Sequence, residues 1–189
     1  PVMSGNKEGQ PFNIFDMGVI GASVVRTHHG ATPPMLTWVW TEGEKGLCTN
    51  EVSCYLNSET KISVLSIASD PDEYDDLVLL HEYGHFYQYQ YSRTHSPGGP
   101  HTAHDRVDPR LAWGEGSATF FATLAKNTSV YLDTIPTGVG TRLDIENLPE
   151  EVPLGAEENS LRGRVSEAVV AAILRDLADR TNESPEGDN

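Results

Sequence analysis

His81, Glu82 and His85 stand in the stretch HEYGH, and Glu115 follows downstream in WGEGSATFFA. Two imidazoles four positions apart project from one side of a helix, so one rigid element can aim both at a single metal ion. Imidazole suits Zn2+, and a catalytic zinc takes three protein ligands and keeps one position for water. Glu82 is rotated about 100° from His81 on such a helix. That sets its carboxylate beside the ion and not on it. From there it can take a proton from water attacking a carbonyl and pass it to the leaving amine. The pentapeptide alone also fits an amphipathic helix with two surface histidines. Its surroundings favour metal binding: a strand run precedes it, helix-start chemistry leads into it, and Gly84 permits close packing.

The third ligand distinguishes the subclasses. A metzincin continues as H-E-x-x-H-x-x-G-x-x-H, but the added positions here are Gln88 and Tyr91. The inverted H-x-x-E-H order is absent as well. An acidic ligand from a later element remains. Glu115 lies between Gly114 and Gly116 near the start of an apolar helical run, where a carboxylate needs a charge partner. Asp105 and Asp108 are the rival carboxylates, and a helix-start glutamate favoured by the macrodipole is the plainer reading of Glu115.

On HEYGH (81–85) and WGEGSATFFA (113–122), the chain resembles the gluzincin-type zinc metallopeptidases of the zincin superfamily, over roughly residues 60–126. The resemblance implies an α+β, zincin-like fold. A small mixed sheet would pack on the HEYGH helix, followed by a glutamate-bearing helix and a C-terminal helix. It implies one Zn2+ held by His81, His85 and Glu115, with Glu82 as general base in peptide-bond hydrolysis. Thermolysin-like members carry an aspartate four residues after the ligand glutamate, where it orients a zinc-binding histidine. This chain has Thr119 there, so the orienting partner must come from elsewhere or be a hydroxyl.

Peptide hydrolysis also needs a donor for the developing oxyanion, and members of the resembled family use Tyr, His or Arg. The candidates are His101, His104 and Arg106 in the loop GGPHTAHDR, together with Tyr131. A solvated surface loop is the plainer reading of those histidines. Tyr83 points away from the metal face and reads as core; Tyr87, Tyr89 and Tyr91 read as packing or surface aromatics. His28 and His29 read as loop residues without a role. Arg162 and Arg164 read as surface ion-pair residues. The run DPDEYDD could gather oxygen ligands for Ca2+, although helix capping explains it more simply.

These groups need elements to position them. The spacing predicts a helix over 11–26 with Phe12, Phe15, Val19 and Ala22 on one stripe, and strands over 35–40 and 61–69. The motif helix is expected over 70–92, with Asp70 as cap, Pro71 at the first position and Glu73 completing the cap. A broken loop leads to a second helix over 110–127. A C-terminal amphipathic helix over 161–180 is expected to bury Leu161, Val165, Val169, Ala172, Ile173 and Leu177. The whole chain reads as one domain, with helix and sheet in 1–70, a mainly helical part in 71–181 and a tail in 182–189.

The 189 residues carry a net charge of −15. A polyanionic surface repels phosphate backbones and anionic lipid, which disfavours nucleic acid and membrane surfaces as partners. No run is long enough for a membrane-spanning helix. No signal peptide is visible, and a chain starting at Pro1 reads as a mature form or an excised domain. Cys48 and Cys54, the only cysteines, are expected to form a disulfide and hence to place the chain outside the cytoplasm. The expected partner is a peptide or protein substrate. Two other functions fit: a zinc-containing binding or scaffold domain without turnover, and a zinc hydrolase of a non-peptide amide or ester.

Overall fold

The computed structural model describes residues 9–148 and 165–178. They form α1 (Gln10–Val24), β1 (Thr37–Val39), β2 (Cys54–Leu56), β3 (Lys61–Ser63), β4 (Ser66–Ile67), β5 (Asp70–Pro71) and α2 (Asp76–Tyr91). There follow α3 (Pro109–Lys126), β6 (Val130–Ile135), β7 (Gly138–Asp144) and α4 (Glu167–Ala178). The chain is therefore α+β. β3 is central in a small mixed sheet, parallel to β1 and antiparallel to β2, with Ile62 opposite both Trp38 and Tyr55. The Cys48–Cys54 disulfide ties the preceding loop to the first residue of β2. Among the described residues no helix is long and apolar enough to cross a membrane.

α2 is the centre of the molecule. Leu79, Leu80, Tyr83 and Phe86 are almost completely buried and join Ile14 and Met17 of α1, Ile62 of β3 and Phe121 of α3 in one core. Tyr83 lies in that core and stacks on Phe121, as the sequence suggests. A helix enclosed on most of its sides shows only a weak amphipathic stripe. Gly84 gives α2 its closest neighbour: a Cβ there would come within 2.8 Å of Ala118 Cα, so only glycine lets α3 cross at this distance. Gln88, at the metzincin glycine position, is a strut instead; its Nε2 donates to Gly114 O of α3 at 2.7 Å.

The expected start of the motif helix is corrected. Asp70 and Pro71 do not cap it but form β5, paired with β4. Asp72 and Glu73 accept hydrogen bonds from Ser53 Oγ and Ser66 Oγ. The helix begins at Asp76, and the Asp75 side chain binds Thr134 N and Oγ1 of β6 in place of its own helix end. Tertiary partners thus outcompete local capping at each of these acids.

Other expectations shift in similar ways. The Phe12, Phe15 and Val19 stripe of α1 is exposed, and Ile14, Met17 and Gly21 are the buried side. His28 and His29 lie in a π-helical extension of α1, where His29 packs on Tyr91. The 61–69 strand divides into β3 and β4, and β2, starting at Cys54, is a strand beyond the two expected. The proline- and glycine-containing stretch after α3 forms the β6–β7 hairpin. α4 buries Ala168, Val170 and Ala171, while Ile173 and Leu177 are exposed. Gly116 of α3 explains that choice of face, since a Cβ there would meet Val170 Cβ at 2.6 Å and Glu167 O at 2.7 Å. Leu161, Arg162, Arg164 and the 182–189 tail lie outside the described residues.

Candidate metal centre

α2 presents His81 and His85 one turn apart, and α3 brings Glu115 against them from across the helix crossing. Glu115 Oε2 lies 3.2 Å from His81 Nε2 and 3.1 Å from His85 Nε2. The two Nε2 atoms are 3.1 Å apart. Three ligands about 2.0–2.1 Å from one tetrahedral zinc would be about 3.3 Å from each other. The observed triangle is close to the size that one small shared cation would require. The three groups can hold one metal ion. Their side chains are 12, 22 and 17 % exposed, so the site is sheltered yet reachable from one side.

Glu82 is beside this triangle on the same helix and is buried. Its Oε2 accepts a 2.7 Å hydrogen bond from the Tyr55 backbone N–H of β2, next to the disulfide-bonded Cys54. Burial raises the Glu82 carboxyl above the ordinary range, with His85 and His81 opposing. Burial alone would raise Glu115 too, but His85, His101 and His81 outweigh it and hold this carboxyl far below the usual range. Adjacent carboxylates with opposite shifts suit opposite tasks: a permanent anion for holding a cation, and a more basic group for taking protons.

The loop between α2 and α3 brings His101 in. Its Nε2 lies 3.7 Å from Glu115 Oε2 and 3.8 Å from Glu167 Oε2, and the Glu115 carboxylate pushes it up to about 9. Tyr131 of β6 is at the other side, with its ring 5.9 Å from the His81 ring. Burial pushes its phenol well above the ordinary value. His104 is exposed but lines the same cleft of about 980 Å3. The rival carboxylates lie elsewhere. Asp108 is the N-cap of α3 and pairs with Arg110, while Asp105 accepts from Thr102 N within the loop. Neither shares a potential metal cluster with the histidines among the described residues, and Arg106 is not in the cleft wall.

Two features were not visible in the sequence. Thr119 Oγ1 lies 3.0 Å from His81 Nδ1 and donates to Glu167 Oε1 at 2.6 Å, so a glutamate of α4 reaches the back of the site. The other is a group of carboxylates, Asp70, Asp72 and Asp133, whose oxygens lie within 4.8 Å of each other further along the cleft. Two of them belong to the run considered for Ca2+. Burial, with the charges of Asp70, Asp133 and Asp75, pushes Asp72 up to about 8.

The Asp72 shift has a testable sign. The folded-state value lies above the unfolded one, so the folded chain holds an extra proton between about pH 4 and 8 and loses stability as pH rises through that window. Asp72→Asn cannot ionise, and it is expected to gain about 1–3 kcal/mol over wild type at pH 8 relative to pH 5. Urea unfolding of both proteins at the two pH values measures this; an equal difference at both would contradict it.

The model described as "Mycolysin C-terminal domain" matches residues 24–188, nearly the whole chain. The chain belongs to this family. Membership in the Mycolysin C-terminal domain family relates it to a peptidase family, and the match includes α2, α3 and α4 with every residue of the triangle. The description assigns no reaction to the domain, so the reaction has to be read from its residues. No curated protein and no solved structure gives a significant match.

Proposed function

We propose that this chain is a zinc-dependent peptidase of gluzincin type, acting outside the cytoplasm. The observation that carries the proposal is the near-equilateral triangle of His81 Nε2, His85 Nε2 and Glu115 Oε2, with the buried Glu82 beside it. Two imidazoles and one carboxylate are a donor set suited to catalytic zinc. A zinc ion held there supplies Lewis acidity, lowering the pKa of water and polarising a carbonyl.

The chain's own residues supply the rest. Tyr55 N–H fixes one oxygen of Glu82, leaving the other to accept the proton of the attacking water and return it to the leaving amine. Tyr131 and His101 flank the triangle from two sides, and each can donate a hydrogen bond to the carbonyl oxygen as it gains charge. The cleft of about 980 Å3 has the volume to hold a peptide segment against these groups. The disulfide fits an oxidising compartment, as does a family named for mycolysin.

The test is hydrolysis of a mixed peptide pool, read by mass spectrometry. Cleavage that a chelator abolishes and zinc restores is the expected result. Cleavage confined to esters or non-peptide amides would move the reading to another zinc hydrolase. Zinc binding with no turnover on any substrate class would leave a scaffold domain.

A further inference from the structure

We propose that Thr119 and Glu167 form a relay that orients His81 as a metal ligand. The relay would take the part that an aspartate at position 119 plays in thermolysin-like enzymes. The inference presupposes the metal centre and adds to it a positioning device split between two helices.

The proton count gives the relay a direction. A threonine hydroxyl has one proton. The Glu167 carboxylate only accepts, and its Oε1 lies 2.6 Å from Thr119 Oγ1, so it takes that proton. Thr119 Oγ1 must then present a lone pair to His81 Nδ1 at 3.0 Å. Nδ1 consequently carries the imidazole hydrogen, and Nε2 turns its lone pair toward His85 Nε2 and Glu115 Oε2. Both relay residues are buried, Thr119 at 0 % and Glu167 at 8 % exposure, with Glu167 at the cleft wall. In such surroundings a hydrogen-bonded anion polarises its partners strongly. The ring gains basicity and loses rotational freedom, as it does in direct carboxylate–histidine–metal arrangements.

The packing explains how a residue so distant in sequence reaches this place. Gly116 lets α4 approach α3 until Glu167 O and Val170 touch it, and this close contact brings the Glu167 side chain up against Thr119. Glu167 has a second neighbour, His101, at 3.8 Å from Oε2, so the experiment must separate the two routes.

The measurement is the zinc dissociation constant, by competition with a chromophoric chelator, for wild type, Thr119→Val, Thr119→Ser, Glu167→Gln and the Val/Gln double variant. Valine matches threonine in shape, and the melting temperature of each metal-free protein checks the fold. Thr119→Val is expected to weaken zinc binding about 10–100-fold, and Thr119→Ser to stay within about threefold of wild type. Glu167→Gln is expected to weaken zinc in the wild-type background but to add nothing to Thr119→Val. A Thr119→Val constant within twofold of wild type would overturn the relay. So would a Glu167→Gln loss of equal size in both backgrounds, which would assign Glu167 to the His101 route. If Thr119→Val does not fold, Thr119→Ala takes its place in the cycle under the same criteria, and a Glu167→Gln constant unchanged from wild type overturns the relay in either case. A wild-type protein that binds no zinc would remove the metal centre itself, an outcome distinct from loss of the relay alone.

Discussion

Glu82→Gln is expected to keep its zinc and to lose about 10²–10⁴-fold in peptide hydrolysis, the usual contribution of a positioned general base. The glutamine oxygen can still accept from Tyr55 N–H, so the side chain should stay in place on the buried face of α2. What disappears is the ability to take a proton. Burial raises the Glu82 carboxyl toward a more useful basicity, against the opposing pull of His85 and His81. Glu82 is not one of the three convergent ligand groups, so metal content and turnover should separate cleanly in this variant. Measuring kcat/KM and bound zinc on the same preparation makes the separation visible. Full activity in the zinc-loaded variant would place the base elsewhere in the cleft.

Glu115→Ala is expected to act on binding itself. Its Oε2 lies within 3.2 Å of both histidine nitrogens and brings a carboxylate to a group otherwise made of two imidazoles. Whole protein zinc sites are worth about 10–16 kcal/mol, so removal of one of three ligands should weaken zinc by two orders of magnitude or more. Glu115→Asp is expected to lie between alanine and wild type. It keeps the charge, but the Gly84–Ala118 contact holds α2 and α3 too firmly for the helices to follow a shorter side chain.

The clustering of His81 and His85, with Glu82 beside them, was readable because their spacing belongs to one helix. His81, Glu82 and His85 need only a 3.6-residue period to be placed together. Glu115 was readable from its setting, an acid between two glycines in an apolar helix. Thr119 stood out as a departure from the expected aspartate, but its answer, Glu167, lies on another helix and looks in sequence like an ordinary first-turn acid. Tyr55 was invisible because it contributes a backbone N–H, which every residue but proline possesses. The helix start failed for the same kind of reason. Asp70, Pro71 and Glu73 have the right local chemistry, and β4 and Ser66 claim them through contacts that no local pattern encodes. On α1 and α4 the period was visible and the buried face was not: α1 docks through Ile14, Met17 and Gly21 and α4 through Ala168, Val170 and Ala171, while Phe12, Phe15, Ile173 and Leu177 stay outside.

The central claim is that His81, His85 and Glu115 make one metal site. Elemental analysis of wild type and Glu115→Ala, each loaded with zinc and dialysed side by side, tests it most directly. About one zinc per wild-type chain, lost or greatly reduced in the variant, is the expected result. Wild type without zinc, or a variant that retains it in full, would contradict the account.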